Sequence, residues 1–219
     1  MYSLGFDTST ACVSVALVGA DGVLASFAEV VGNRQGEFLA PAVAQVFADA
    51  GVSVSELGAI GVGLGPGPFT GLRVGIVFAA AMGDALEVPV HGICSLDALA
   101  AVHAGDGDFV AMSDARRKEV YWARYDLTGA RVIGPEVAKP AALTDELGGI
   151  RLVGAGAALY PAAFAQSEIV SERPYPDAAT IATHARSLAL AGAAIEVLTP
   201  LYLRRPDADE SFVAKTVLA

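Results

Sequence analysis

Gly61-Val62-Gly63-Leu64-Gly65-Pro66-Gly67-Pro68-Phe69-Thr70-Gly71-Leu72-Arg73-Val74-Gly75 joins an apolar run to a helical pattern. Ala59 to Leu64 predicts a short buried strand. Gly65 to Gly71 predicts a stiff loop, because glycine admits close backbone approach and positive φ while proline restricts the unfolded chain. Leu72 to Glu87 predicts a helix apolar nearly all round, and therefore buried on several sides. Its first amides point back at the loop, an arrangement that suits an anion. No Gly-Lys-Ser or Gly-Lys-Thr follows, so this is not a Walker loop, and the glycine spacing is not that of a dinucleotide fingerprint. An anion site and a packing loop both remain open on these residues.

Upstream, Leu4 and Phe6 alternate with Ser3 and Gly5, and Val13, Val15 and Leu17 alternate with Ser14 and Ala16. Such alternation predicts strands buried on one side. Gly19 to Gly22 is a turn signal, and Val23 to Val31 supplies a third strand of an antiparallel meander. Between the first two strands stands Asp7-Thr8-Ser9-Thr10. A short acidic, hydroxyl-bearing hairpin can hold a hydrated metal or offer amides to a phosphate. Asp7, Thr8 and Ser9, with Gly65 and Gly67, are the candidate nucleotide or phosphate contacts. The same residues also make an ordinary turn.

Phe38, Leu39, Ala42, Val43, Val46, Phe47 and Ala50 recur at helical spacing, which predicts a helix over 35–50 stopped by Gly51. Pro41 falls early in it, where proline costs least. Downstream, Pro89 to Ile93 predicts a strand, and Ser95 is placed to cap the helix after it. The pattern restarts after Gly105-Asp106-Gly107-Asp108. Phe109 to Asp114 and Glu119 to Tyr125 predict a strand pair, and Arg151 to Val153 a further strand. Helices are expected near Tyr160 and over 180–197. The restart divides the chain into lobes at 1–104 and 105–219, the second including a loosely ordered tail after Pro206.

The net charge of −10 argues against independent, tight binding of nucleic acid, which requires a basic surface. The longest basic run is Arg116-Arg117-Lys118. The most apolar stretch, Val74 to Gly83, is half of what a membrane span needs, roughly 20 residues. The N-terminus has no basic segment before an apolar one, so the expected location is the cytoplasm. Cys12 and Cys94 are read as buried, reduced packing residues. His91, His103 and His184 are scattered, so no metal site is expected. Asp114, Arg116 and Glu119 are read as a structural ion-pair cluster at a strand end.

The Gly65-Pro66-Gly67-Pro68-Phe69-Thr70-Gly71-Leu72-Arg73-Val74-Gly75 run resembles the signature of the TsaB family, also called YeaZ, with Pro68 where serine is usual. Asp7-Thr8-Ser9 with Val13 to Leu17, Asp114-Ala115-Arg116 with Glu119-Val120-Tyr121, and Pro200 to Arg204 are similar to the same family, in the same order. The resemblance implies an α/β fold of the actin-like, hexokinase-like (ASKHA) type, built of two ribonuclease-H-like lobes. It implies a role in tRNA modification, beside a TsaD-type catalytic paralogue that transfers threonylcarbamoyl to the adenosine next to the anticodon. A TsaE-type ATPase joins that assembly, ATP or ADP enters at the level of the complex, and tRNA is reached only through it.

The paralogue binds its metal through a helical His-x-x-x-His pair. The matching stretch here is Gly92 to Leu99, where Ser95 and Leu99 stand in place of the histidines. Serine is a poor ligand and leucine is none. Before the first helix Gln35-Gly36-Glu37 replaces the usual His-Ser-Glu. The resemblance places the partner surface on the two helices of the first lobe, at Phe38, Leu39, Val43, Val46, Phe47, Leu72, Arg73, Ile76 and Ala80. The 35–50 stripe holds more apolar residues than one core face needs, so a charge at Val46 is expected to abolish pairing without unfolding the chain. The same surface would form a homodimer when the partner is absent.

The leading expectation is thus a non-catalytic scaffold. An ATP-dependent phosphotransferase or ATPase of the same fold is the alternative. A glycopeptidase would need a metal site or an activated nucleophile, and neither is evident.

Overall fold

Large and small side chains alternate along the first strands, and that alternation decides which helix covers which face. In the computed structural model, which describes residues 1–195 and 197–204, β1 (Tyr2–Asp7), β2 (Cys12–Gly19) and β3 (Gly22–Val30) form the expected antiparallel meander. After α1 (Gln35–Ala50) and a 3-10 turn at Val54–Glu56, β4 (Leu57–Gly63) pairs parallel with β1. α2 (Phe69–Leu86) then leads to β5 (Val90–Ile93), parallel to β4. The sheet order is β3-β2-β1-β4-β5.

Leu4, Phe6, Val13, Val15, Leu17, Ile60 and Val62 pack with α1 and α2 in one core cluster. The opposite face carries Gly5, Ala16 and Gly61. The strands were expected to be buried on one side, yet β2 is buried along its whole length. The small face is covered by α6 (Ala178–Leu190). A Cβ on Gly5 would stand 2.3 Å from the Ala182 amide nitrogen, and one on Gly61 2.5 Å from the Ile181 carbonyl oxygen. The alternation is therefore large against small, with both faces in protein. α6 lies in the 105–219 segment but packs on the first sheet.

Following α3 (Ser95–Ala100), the pattern repeats. β6 (Phe109–Asp114), β7 (Val120–Tyr125) and β8 (Arg131–Ala138) form a second meander. α4 (Pro140–Leu143), β9 (Arg151–Val153), α5 (Ala155–Ala158) and β10 (Ile169–Val170) complete that lobe. The second sheet runs β8-β7-β6-β9-β10, with β9 parallel to β6 and β10 parallel to β9. Both sheets thus have three antiparallel strands followed by two parallel ones. β8, which lacks a clean alternation and contains Gly134-Pro135, was not foreseen. The helix expected near Tyr160 is a run of turns, and the last helix spans 178–190 rather than 180–197. The tail after Pro206 lies outside the described residues.

α2 begins at Phe69, three residues earlier than expected, and is 18 residues long with a mean hydropathy of 1.4. By length and composition it meets the minimum for crossing a membrane, a third of it being buried inside the protein. Its inward face, Leu72, Ile76 and Ala79, belongs to the core of the first lobe.

Candidate functional site

Asp7 ends β1 facing the interior, with 0% of its surface exposed. One carboxylate oxygen, Oδ1, accepts from the Ser9 amide and the Ser9 hydroxyl, both at 2.7 Å. The other, Oδ2, accepts from Ser95 Oγ at 2.5 Å. Ser95 Oγ in turn accepts from the Gly65 amide at 3.0 Å, while the Ser95 amide donates to the Gly65 carbonyl at 2.7 Å. Ser95 therefore does not cap α3. Cys94 holds the cap position without a side-chain bond, and the serine hydroxyl ties three distant segments together. Burial raises the Asp7 pKa above its ordinary 3.8, against the opposing pull of the Ser95 and Ser9 hydrogen bonds.

The glycine–proline loop fills the hairpin turn. A Cβ on Gly63 would fall 1.8 Å from Asp7 Oδ2, one on Gly67 2.2 Å from the Ser9 carbonyl, one on Gly71 2.5 Å from the Thr8 carbonyl and one on Gly75 2.5 Å from Thr8 Oγ1. Thr8 Oγ1 donates to the Gly71 carbonyl at 2.7 Å. Gln35 straps the start of α1 to the same turn, its Nε2 donating to the carbonyls of Thr10 and Gly32 at 2.8 Å each. All five candidate phosphate contacts, Asp7, Thr8, Ser9, Gly65 and Gly67, are thus brought together, but they contact one another and are buried. Of the two readings of the loop, this geometry matches the packing one. Next to the turn, a small pocket of about 130 Å³ is lined by Thr10, Pro68, Ser113, Asp114, Arg116 and Tyr175 among others, well below the roughly 300–1,000 Å³ of a small-molecule site.

The side chains named for the partner surface divide by face. Leu39, Val43, Val46 and Phe47 of α1, and Leu72 and Ile76 of α2, are buried in the chain's own core. The α1 stripe is one core face and no more, and Val46 is 0% exposed, so a charge there attacks the fold rather than a partner. Phe38 is half-buried against the same core, and Arg73 and Ala80 point outward. The sequence reading missed Phe69 and Val77, which are 46% and 64% exposed. With Thr70, Val74, Phe78 and Ala81 they line a shallow apolar groove of about 640 Å³ along α2. Their spacing, about two turns apart along a helix apolar nearly all round, carried the signal, but periodicity alone does not say which side meets the sheet.

In the second lobe, Arg116 pairs with Asp114 at 3.3 Å, as the ion-pair reading supposed, while Glu119 pairs with Arg204 instead. Cys12 and Cys94 are buried and reduced, each thiol pushed up to about 11 by burial first and by Asp7 and Asp97 respectively. Among the described residues no cluster of metal-ligating side chains occurs.

The family model described as "TsaD: tRNA N6-adenosine threonylcarbamoyltransferase" matches residues 29–212. The chain is 42% identical over 207 residues to an uncharacterized protein of Mycobacterium tuberculosis, covering 94% of this chain and 92% of that one. To the Escherichia coli protein named tRNA threonylcarbamoyladenosine biosynthesis protein TsaB it is 34% identical over 128 residues, 57% of this chain. The match spans 55% of that relative's length, as it does for a Mycobacterium leprae relative at 43% identity. The solved structure of YeaZ from Pseudomonas aeruginosa superposes with a TM-score of 0.74 at 30% identity, over 92% of this chain and 99% of that one. The chain belongs to the TsaB (YeaZ) family. The actin-like expectation holds as well: the activator of 2-hydroxyisocaproyl-CoA dehydratase from Clostridium difficile shares the fold at a TM-score of 0.57 and 9% identity.

Within this TsaB-family chain, the two positions that the resemblance sets against the paralogue's histidines have structural duties. Ser95 holds Asp7 and the Gly65 amide, and Leu99 is 0% exposed in the core of the second lobe. Gln35, which the resemblance sets against a histidine, is buried and spends its amide on two backbone carbonyls.

Proposed function

We propose that this chain serves the threonylcarbamoylation of the adenosine next to the anticodon in tRNA as the non-catalytic partner of a TsaD-type transferase. The observation that carries the reading is the outward face of α2. Phe69, Val77, Ala80 and Ala81 stand exposed with the half-buried Val74 and Phe78 between them. An apolar stripe of this kind on a folded chain marks an interaction surface. The names borne by the TsaB relatives support the pathway. The self-filled Asp7 turn supports a role without chemistry of its own, since a carboxylate locked to Ser9 and Ser95 is not available to a metal or an attacking group.

In this reading the two helices of the first lobe lie against the equivalent helices of the transferase, with the contacts made by Val77, Ala80 and Ala81 rather than by the buried side chains. The same face pairs two copies of this chain when the transferase is absent. A TsaE-type ATPase joins the assembly, ATP or ADP is bound at the level of the complex, and the location is the cytoplasm. The test is light scattering on a sizing column, with the chain alone and mixed with the transferase from the same source. A one-to-one complex that Val77→Glu abolishes is the expected result. No complex, with or without ATP and the ATPase, overturns the reading and favours an ATP-dependent enzyme acting alone, which magnesium-dependent ATP hydrolysis by the isolated chain would reveal.

A further inference from the structure

The chain carries 14 lysines and arginines against 24 acids. Against that background, four arginines on one cleft is a concentration that the overall charge does not suggest. The cleft, about 620 Å³, lies between the start of α2, the loop joining β6 to β7, and the segment 202–204. Arg73, Arg116, Arg117 and Arg204 line it together with Tyr121 and Tyr202, and none of its described lining residues is acidic. Asp114 and Glu119, which pair with Arg116 and Arg204, lie outside the lining.

The aromatic and basic groups are interleaved. The Arg73 guanidinium carbon sits over the Phe69 ring, 3.7 Å from its centroid, and Arg73 Nε donates to the Tyr202 hydroxyl at 3.3 Å. Tyr202 stacks on Phe69 at 5.0 Å between centroids and is still 42% exposed. On the other wall, Arg116, Arg117 and Lys118 are consecutive residues at φ 59°, 52° and 61°, a left-handed run that L side chains rarely adopt. It is held by the Arg116 amide donating to Asp114 Oδ1 at 2.7 Å and by Arg204 donating to the Ala115 carbonyl at 2.7 Å. The fold thus holds three adjacent basic residues, all exposed, in a strained turn on the rim of a cleft. α2 opens into the same space with its positive end and no side-chain cap.

We propose that this cleft binds single-stranded RNA. Guanidiniums on both walls take consecutive phosphates, and the open face of Tyr202 takes a base. Planar guanidinium and aromatic surfaces together are what unpaired nucleotides require, phosphate pairing supplying affinity and stacking supplying sequence-tolerant contact. The inference rests on the tRNA reading above and goes beyond it, since it gives this chain an RNA contact of its own rather than leaving the RNA to its partner.

The test is fluorescence anisotropy of a labelled anticodon stem–loop RNA titrated with the full chain at stepped potassium chloride. Saturable binding is expected. Arg116→Glu with Arg117→Glu should weaken it at least about tenfold and lower the salt slope by roughly 1.4, two single-strand phosphate contacts at about 0.7 each. Tyr202→Ala should weaken it several-fold with the slope unchanged, because stacking releases no counterions. Arg186→Glu, on α6 across the first sheet, should change nothing. Absence of saturable binding overturns the inference, as does equal binding by correctly folded variants. Displacement of the RNA by equimolar ADP or inorganic phosphate overturns it too, and makes the cleft a nucleotide pocket. The sizing experiment on the same variants separates the two readings: a variant that pairs with the transferase but no longer holds RNA leaves the partner reading standing.

Discussion

Ser95 Oγ stands 2.5 Å from Asp7 Oδ2, joining the start of α3 to the end of β1 across 88 residues of chain. The bond closes a buried polar node in which every group depends on another. Ser95→Ala leaves the Gly65 amide without its acceptor and one carboxylate oxygen without its donor. We expect a loss of about 1–3 kcal/mol for such a deletion, read as a lower midpoint in urea with an unchanged slope.

Asp7 itself sets a pH dependence. Its folded pKa is raised, so the folded chain holds a proton that the unfolded chain releases near 3.8. Stability should therefore fall as pH rises from about 3.8 through the folded pKa, the opposite of a salt-bridged carboxylate. Asp7→Asn removes the titration. Thermal midpoints of the two proteins followed from acid to neutral pH should diverge, the native chain losing stability relative to the variant as pH rises. Parallel curves would mean that Asp7 is not held as a buried acid.

The glycines that face the hairpin turn have no room for a side chain. Gly67→Ala forces a Cβ against the Ser9 carbonyl, a backbone group that cannot swing aside. A cost of about 3 kcal/mol or more is expected, seen as loss of soluble, cooperatively unfolding protein. Gly36→Ala, whose Cβ would meet only Val74 at 3.8 Å, is the tolerated comparison.

Helix faces separate folding from pairing. Val46→Asp places a charge at a position with no exposure and should unfold the chain. Val77→Glu, at a largely exposed position, should change stability by no more than about 0.5 kcal/mol, while abolishing association measured by light scattering. Pairing that survives Val77→Glu would move the contact surface elsewhere.

Arg204 fastens the β6–β7 loop through the Ala115 carbonyl and Glu119. Arg204→Ala should loosen Arg116 and Arg117 from their left-handed turn and speed tryptic cleavage there several-fold, with the global unfolding midpoint little changed. Equal cleavage rates would show that the turn holds itself.

Much of the fold was legible because it is written locally. The meander follows from alternation broken by Gly19 to Gly22, and α1 from one apolar stripe ended by Gly51, which takes φ 64° at the cap. The glycine–proline run announced a loop and a helix, although α2 starts at Phe69 because Pro68 is the cap residue before it. β8 was illegible, since an edge strand with Gly134-Pro135 and a broken register has no clean alternation.

The candidate sites were legible as residues and not as arrangements. Asp7, Thr8, Ser9, Gly65 and Gly67 did converge, but whether a ligand or the protein itself fills a turn depends on what the chain brings there from afar. Here Ser95 and the glycine–proline loop fill it. The α2 interface failed at Leu72 and Ile76 for a related reason: a helix apolar all round has no amphipathic signal to orient it.

By itself, then, the sequence determined the order and kind of most elements, because short-range periodicity, caps and turn residues act over a few positions. Tertiary structure alone decided that α6 crosses back to cover the small face of the first sheet, that a serine in α3 holds the carboxylate of β1, and that Arg73, Arg117 and Arg204 share a cleft. Those outcomes rest on contacts between residues about 90 to 180 positions apart, such as Ser95 with Asp7 and Ala182 with Gly5. Such contacts leave no local pattern, because their free energy depends on close packing that exists only once both sheets are assembled.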